Sequence, residues 1–265
     1  MSEMLHYVFF QHALWMGLLC SIACGIIGSY VVIKRISFIS GSIAHSAFGG
    51  IGLSYLLGIN PLLGATGFGM ITALLIGYVK FKFKQQEDTL IGVIWALGMA
   101  IGIICIQLTQ GYAADLFSYM FGNILLISQT DLWIVGSLDV GIIICVGLLF
   151  NPLRALTFDE EYAEILNIPV KKIYLLLLEL ITLTTVILLK AVGIILVIAL
   201  LTLPAATAKN LTNNLKTMMG LAVGLGCLCT TCGILLSYSL NLPSGPLIIV
   251  LSSITYLVSL WATKR

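Results

Sequence analysis

The chain has 265 residues, of which 60% are hydrophobic and 9% charged, with a formal net charge of +2. Its mean hydropathy is +1.10. Soluble domains carry about 25% charged residues, so this composition excludes a water-soluble globule, a disordered chain and a nucleic-acid binder. It predicts an all-α, polytopic bundle embedded in lipid. A spanning helix takes roughly 20 apolar residues, and about eight or nine of them would leave room only for short loops. The apolar runs are continuous, whereas an outer-membrane barrel needs ~10-residue segments alternating apolar with polar.

In chain order, the runs predict spans at 10–33, 37–57, 61–79, 90–109, 132–150, 173–189, 192–208, 217–239 and 246–262. Residues 1–33 hold no Lys or Arg. No cleavable signal sequence is therefore expected, and the first run is expected to remain as an anchor. All seven Cys lie inside the runs, and an odd, buried set argues against a disulfide framework. Lys34 and Arg35, Lys80, Lys82 and Lys84, Arg154, Lys171 and Lys172, Lys209 and Lys216, and Lys264 and Arg265 all fall on one side. Of the 13 basic residues, only Lys190 falls on the other. Short basic loops stay cytoplasmic, which predicts a C-terminus inside and a short N-terminus outside. The semi-polar stretch 110–131 reads as an outer loop or a re-entrant piece. No repeat, low-complexity tract or linker divides the chain, so residues 1–265 read as a single transmembrane domain.

Several activities lack the residues they need. A phosphate-cradling loop requires Gly-x-x-x-x-Gly-Lys-Ser/Thr, and no Gly-Lys pair occurs. There is no His-Glu-x-x-His pattern, and the three His are at 6, 12 and 45. A carrier, a channel, or one subunit of a larger pump remains.

The longest inner loop, 151–172, is organised. Asn151 and Pro152 are expected to end the fifth span. Thr157-Phe158-Asp159-Glu160 fits a capping box, with Thr157 accepting a backbone N–H and Glu160 reaching back. Asp159, Glu160 and Glu161 complement the positive helix end. Tyr162, Ala163, Ile165 and Leu166 supply apolar surface, Asn167 suits a left-handed C-terminal position, and Pro169 stops the helix. A helix of about two turns is therefore predicted over 158–167, at 3.6 residues per turn. It is either a connector lying on the bundle or a lever that docks on a partner. The missing ATPase favours the lever.

Within the spans, His45 stands near the middle of the second. An ionisable group there marks function by default. Gly41 and Gly49 lie one turn to either side, on the same face, and are expected to leave open space beside the ring. Ser42, Ser46, Gly50 and Ser54 form a small-residue stripe that lets helices approach. A neutral imidazole is a ligand for zinc, iron or nickel; the alternative is a histidine bonded to a neighbouring helix. Glu179 and Asp139 are buried carboxylates that either serve an ion path or pair with an adjacent helix. Asp115 is an outer-mouth acid that attracts cations, or simply a solvated one. Cys227, Cys229 and Cys232, like Cys20 and Cys24, read as small hydrophobes. Pro204 is expected to kink the seventh span, as a hinge or as a fixed bend. Tyr238 to Pro246 read as an outer turn.

Five segments together resemble one family. Phe158-Asp159-Glu160-Glu161-x-Ala163 is similar to the coupling-helix signature of the metal-ion permeases of ABC importers, which include zinc, manganese and iron transporters. Ser42-Ile43-Ala44-His45-Ser46 with Gly49-Gly50, Asp115 through Gly122, Lys190-x-Val192-Gly193 followed by Leu203-Pro204-Ala205-Ala206-Thr207-Ala208, and Pro243-Ser244-Gly245-Pro246 resemble its other motifs, in the same order. The resemblance implies a homodimeric permease in a bacterial cytoplasmic membrane, with no permanently bound cofactor. It implies ATP on a separate cytoplasmic ATPase and a metal-delivering solute-binding protein outside, docked near Pro243, Gly245 and Pro246. Alternating access is the expected mechanism, with His45 as a transient ligand; Glu179 and Asp115 stay further candidates on their residue chemistry alone. Many members of the family carry Asp where Gly41 stands here, and one compared member has acids where Asn123 and Asn241 stand. Losing hard oxygen donors disfavours manganese, so zinc is the first expectation and manganese or iron the next. The rival class is a secondary transporter driven by an ion gradient, which needs no docking helix.

Overall fold

The computed structural model describes residues 7–83, 87–109, 122, 124 and 127–263. Among these it contains ten α-helices: α1 (Val8–Ile33), α2 (Ser37–Leu57), α3 (Pro61–Phe83), α4 (Glu87–Leu108), α5 (Gln129–Leu148), α6 (Phe150–Phe158), α7 (Glu160–Ile165), α8 (Val170–Leu211), α9 (Leu215–Leu240) and α10 (Ser244–Thr263). Seven of them are long and apolar enough to cross a membrane. α2 falls short of that group because Ser and Gly dilute its hydropathy, not because it is short: it has 21 residues.

α8 runs 42 residues. At 1.5 Å per residue that is about 63 Å, twice the ~30 Å of a hydrocarbon core. The sixth and seventh predicted spans are thus not separated by a loop. They join through one residue, Gly193, at φ 80° and ψ 163°. That region is open essentially to glycine alone, so one residue breaks the helix. Pro204 is carried inside the helical stretch that follows, and Gly193 is the residue of α8 with non-helical dihedrals.

The helices gather into two compact units. The first holds α1, most of α5, the part of α8 from Ala191 onward, α9 and α10. α1 is its axis, with Phe10, Ala13, Met16, Cys20, Ala23 and Ile27 fully buried. Phe10 meets Tyr238 edge-on at 5.8 Å, and Ser21 Oγ lies 3.3 Å from Thr230 Oγ1. Asp139 is 3% exposed in the middle of α5, and its carboxylate makes no hydrogen bond with another side chain among the described residues. All seven Cys are free thiols.

The second unit holds α2, α3, α4, α6, α7 and α8 up to Lys190. α2 lies between α3 and α4, and small residues bring the backbones together on both sides. Ser42 Oγ donates to the Ile91 carbonyl at 3.0 Å. A Cβ on Gly49 would sit 2.8 Å from the Gly98 carbonyl oxygen of α4, and one on Gly50 would collide with the Gly64 carbonyl of α3. The predicted stripe thus makes helix contacts through Ser42 and Gly50. Gly49, however, leaves no open space beside the imidazole, because α4 fills it.

Candidate functional site

Two places in the second unit carry predicted functional residues. The first is His45. Its ring stacks on the Trp95 indole of α4, with centroids 4.1 Å apart and planes 16° from parallel. Its Nδ1 lies 3.3 Å from the Met99 sulfur, one helical turn further along α4. A thioether has no proton to give, so in this contact Nδ1–H donates and Sδ accepts. The histidine is therefore bonded to a neighbouring helix. It is also only half-buried, with Trp95 36% exposed over it, so one side of the pair is reachable.

Glu179 sits half-buried in α8, with Oε2 shut away from solvent and without a hydrogen-bond partner among the described residues. Among those residues, no three His, Cys, Asp or Glu side chains gather into a metal-holding group. His45 and Glu179 are thus not joined with a third such donor. Gly41 is buried one turn before His45. Asp115 and Asn123 lie outside the described residues. Gly122, the end of the Asp115 motif, has φ 64°, and a Cβ there would strike the peptide joining Val192 to Gly193. Two of the sequence motifs therefore meet where α8 breaks.

The second place is α7. The predicted capping box does not form. Thr157 belongs to α6, where its hydroxyl donates to the Leu153 carbonyl at 2.6 Å. Asp159 is the N-cap instead, in extended conformation, accepting from the Tyr162 N–H at 3.0 Å. Glu160 does not reach back to the cap. It pairs with Lys80 of α3 at 2.9 Å, and Lys80 also lies 3.9 Å over the Tyr174 ring. A partly buried cation–π and ion pair outcompetes a solvent-exposed backbone contact. The helix is consequently shorter than predicted, Glu160–Ile165. Asn167 takes the expected left-handed position, at φ 58°. Asn151 and Pro152 do not end a span. They occupy the first turn of α6, where proline's missing N–H costs little.

α7 presents two different faces. Ala163 is fully buried, so it is the side on which the helix seats. Phe158, Tyr162, Ile165 and Leu166 are 57%, 53%, 76% and 50% exposed. These side chains form an exposed apolar patch on the face opposite Ala163 and Glu160, of the kind that marks interaction sites. Sequence reasoning missed Lys80, Trp95 and Met99. The last two stand four residues apart on α4, a spacing that puts them on one face.

The turn after α9 is tighter than predicted. Tyr238 is still in α9, Asn241 caps it in a left-handed conformation at φ 53°, and α10 starts at Ser244. Gly245 and Pro246 thus lie in the first turn of α10, and only Pro243 of the predicted turn motif is displayed as exposed loop.

The family model described as the ABC 3 transport family matches residues 6–263. The chain is 50% identical over 260 residues to an uncharacterized membrane protein, slr2045, of Synechocystis, covering 98% of this chain and 92% of that protein. It is 35% identical over 264 residues to the manganese transport system membrane protein MntC of Halalkalibacterium halodurans, covering 100% and 90%. Among solved structures, a chain of PsaBC from Streptococcus pneumoniae in complex with Fab is similar at a TM-score of 0.87 and 32% identity, over 97% of this chain and 93% of that one.

Proposed function

The chain belongs to the ABC 3 transport family, and we propose that it moves zinc across a bacterial cytoplasmic membrane by alternating access. As a member it is a permease of an ATP-binding-cassette metal importer, a transport component and not an enzyme. The observation that carries zinc is the donor set at His45. An imidazole and a thioether meet there, and no group of three His, Cys, Asp or Glu forms among the described residues. Nitrogen and sulfur suit zinc, whereas manganese prefers carboxylate, carbonyl and water. A site with few protein ligands also binds weakly, as a passing cargo requires.

Two copies of the chain face each other across the path, each with its C-terminus inside. A separate ATPase binds nucleotide and docks on α7. A solute-binding protein delivers metal near Pro243 on the outer side. ATP binding pushes α7, which rides on α3 through Lys80 and Glu160, and opens the path alternately to either face. Manganese is the second reading, favoured by the name of the MntC relative.

The test is metal-resolved uptake in cells lacking the endogenous importers, with and without the cognate ATPase. Zinc uptake that needs both chains is expected; manganese uptake without zinc uptake would reverse the order of the two readings. Docking has its own prediction. Tyr162→Asp with Ile165→Asp alters only exposed side chains, so the permease should fold as before. Losing apolar anchors at an interface costs about 2 kcal/mol or more each, so the ATPase should no longer co-purify. Undiminished co-purification would remove α7 as the lever.

A further inference from the structure

We infer that the Met99 thioether is a second cargo ligand beside His45, and that it sets the preference of the permease for a borderline or soft divalent cation over manganese. The inference rests on the transport reading above and deepens it. Three observations lead to it. Nδ1 of His45 and Sδ of Met99 are 3.3 Å apart. Zinc bonds nitrogen at ~2.0–2.1 Å and a thiolate sulfur at ~2.3 Å, and a neutral thioether bonds no closer, so one shared ion places such donors ~3.1 Å or more apart for bond angles of roughly 90° upward. The pair therefore already stands at chelating distance; because Nδ1–H points at sulfur, an ion enters when the flexible Met99 side chain swings off that line.

The ring is also held in place. Trp95 covers one imidazole face at 4.1 Å, which keeps the ring edge turned toward the sulfur. Trp95 and Met99 reach His45 from one face of α4, four residues apart. A single helix thus supplies both the support and the second donor.

The chemistry balances without a further reactant. In the empty site Nδ1 carries the proton and points it at sulfur. When the cation arrives, that proton leaves to water and Nε2 takes one up, so the ring stays neutral and Nδ1 offers its lone pair. Two new bonds form, metal to nitrogen and metal to sulfur, while two metal–water bonds and the weak N–H···S contact break and the two waters leave to solvent. The cation's remaining positions are filled by water. Sulfur is a poor donor for manganese and a good one for softer ions, so the thioether discriminates where Gly41 provides no carboxylate.

Full-length parent and Met99→Leu proteins, each loaded with one equivalent of zinc in detergent, would be compared by zinc-edge X-ray absorption. The parent should show a sulfur scatterer, at or somewhat beyond the ~2.3 Å of a zinc–thiolate bond, that is absent from the leucine variant. A sulfur shell in both would assign it to cysteine and overturn the inference. So would no sulfur shell in either, including the case where Met99 only orients the ring. In cells with the cognate ATPase, Met99→Leu should lower the zinc-to-manganese uptake ratio about tenfold, and Met99→Asp should lower it further. An unchanged ratio in both variants would also overturn it. If the parent imports no zinc at all, the cargo reading above fails instead, and the absorption edge still decides whether Met99 ligates.

Discussion

Replacing Gly50 with leucine is expected to leave almost no folded permease. The side chain would start inside the Gly64 carbonyl and 2.7 Å from the Phe68 Cβ. Ordinary overpacking costs about 1–3 kcal/mol because neighbouring side chains shift. Here the obstacle is helix backbone, and it is reciprocal, since a Cβ on Gly64 would run into Ser54 and the Gly50 carbonyl. α3 would have to move off α2 as a body. A domain stable by about 5–15 kcal/mol has little room for that. Gly67→Leu on the same α3 is the control, because open space surrounds that position. Size-exclusion profiles and thermal midpoints in detergent separate the two. A Gly50→Leu protein with the parent's midpoint would show that α2 and α3 do not pack this closely. The same contact bears on transport, because α2 carries His45 and its fit between α3 and α4 fixes where the imidazole stands.

The spans were legible because lipid enforces a simple rule: runs of apolar side chains must be about as long as the hydrocarbon is thick. α2 began and ended where the sequence placed it, at residues 37 and 57. The boundary between the sixth and seventh predicted spans came within a few residues of the break at Gly193. What a period cannot reveal is which polar partner wins. Thr157, Asp159 and Glu160 each qualified for a cap. The outcome depended on Lys80, distant in sequence, drawing Glu160 away and leaving the cap to Asp159. Likewise, Trp95 and Met99 read as two more apolar residues of α4. Only the approach of α2 through Ser42, Gly49 and Gly98 brings them onto His45. Their four-residue spacing was visible, but the element across from it was not.

His45→Ala is expected to reduce metal uptake by about 10–100-fold, the range seen when even supporting partners of a metal ligand are lost. The protein should still assemble with its ATPase, since α7 lies elsewhere on the chain and does not depend on the imidazole. Some stability goes with the ring: stacking of this kind is worth about 0.5–1.5 kcal/mol. Alanine alone therefore leaves ligation and packing entangled. His45→Phe separates them. Phenylalanine keeps a flat ring against Trp95 at similar volume but offers no nitrogen to Met99 or to a cation. If His45 serves packing, phenylalanine should restore uptake and thermal midpoint together. If it ligates cargo, phenylalanine should restore the midpoint and leave uptake as low as alanine does. Radiometal uptake, normalised to permease in the membrane, and a detergent thermal melt on the same variants give both readings. Parental uptake in His45→Ala would take the imidazole out of the path altogether. His45→Asp completes the series: it puts a hard oxygen where a borderline nitrogen stood, and any uptake it retains should favour manganese over zinc.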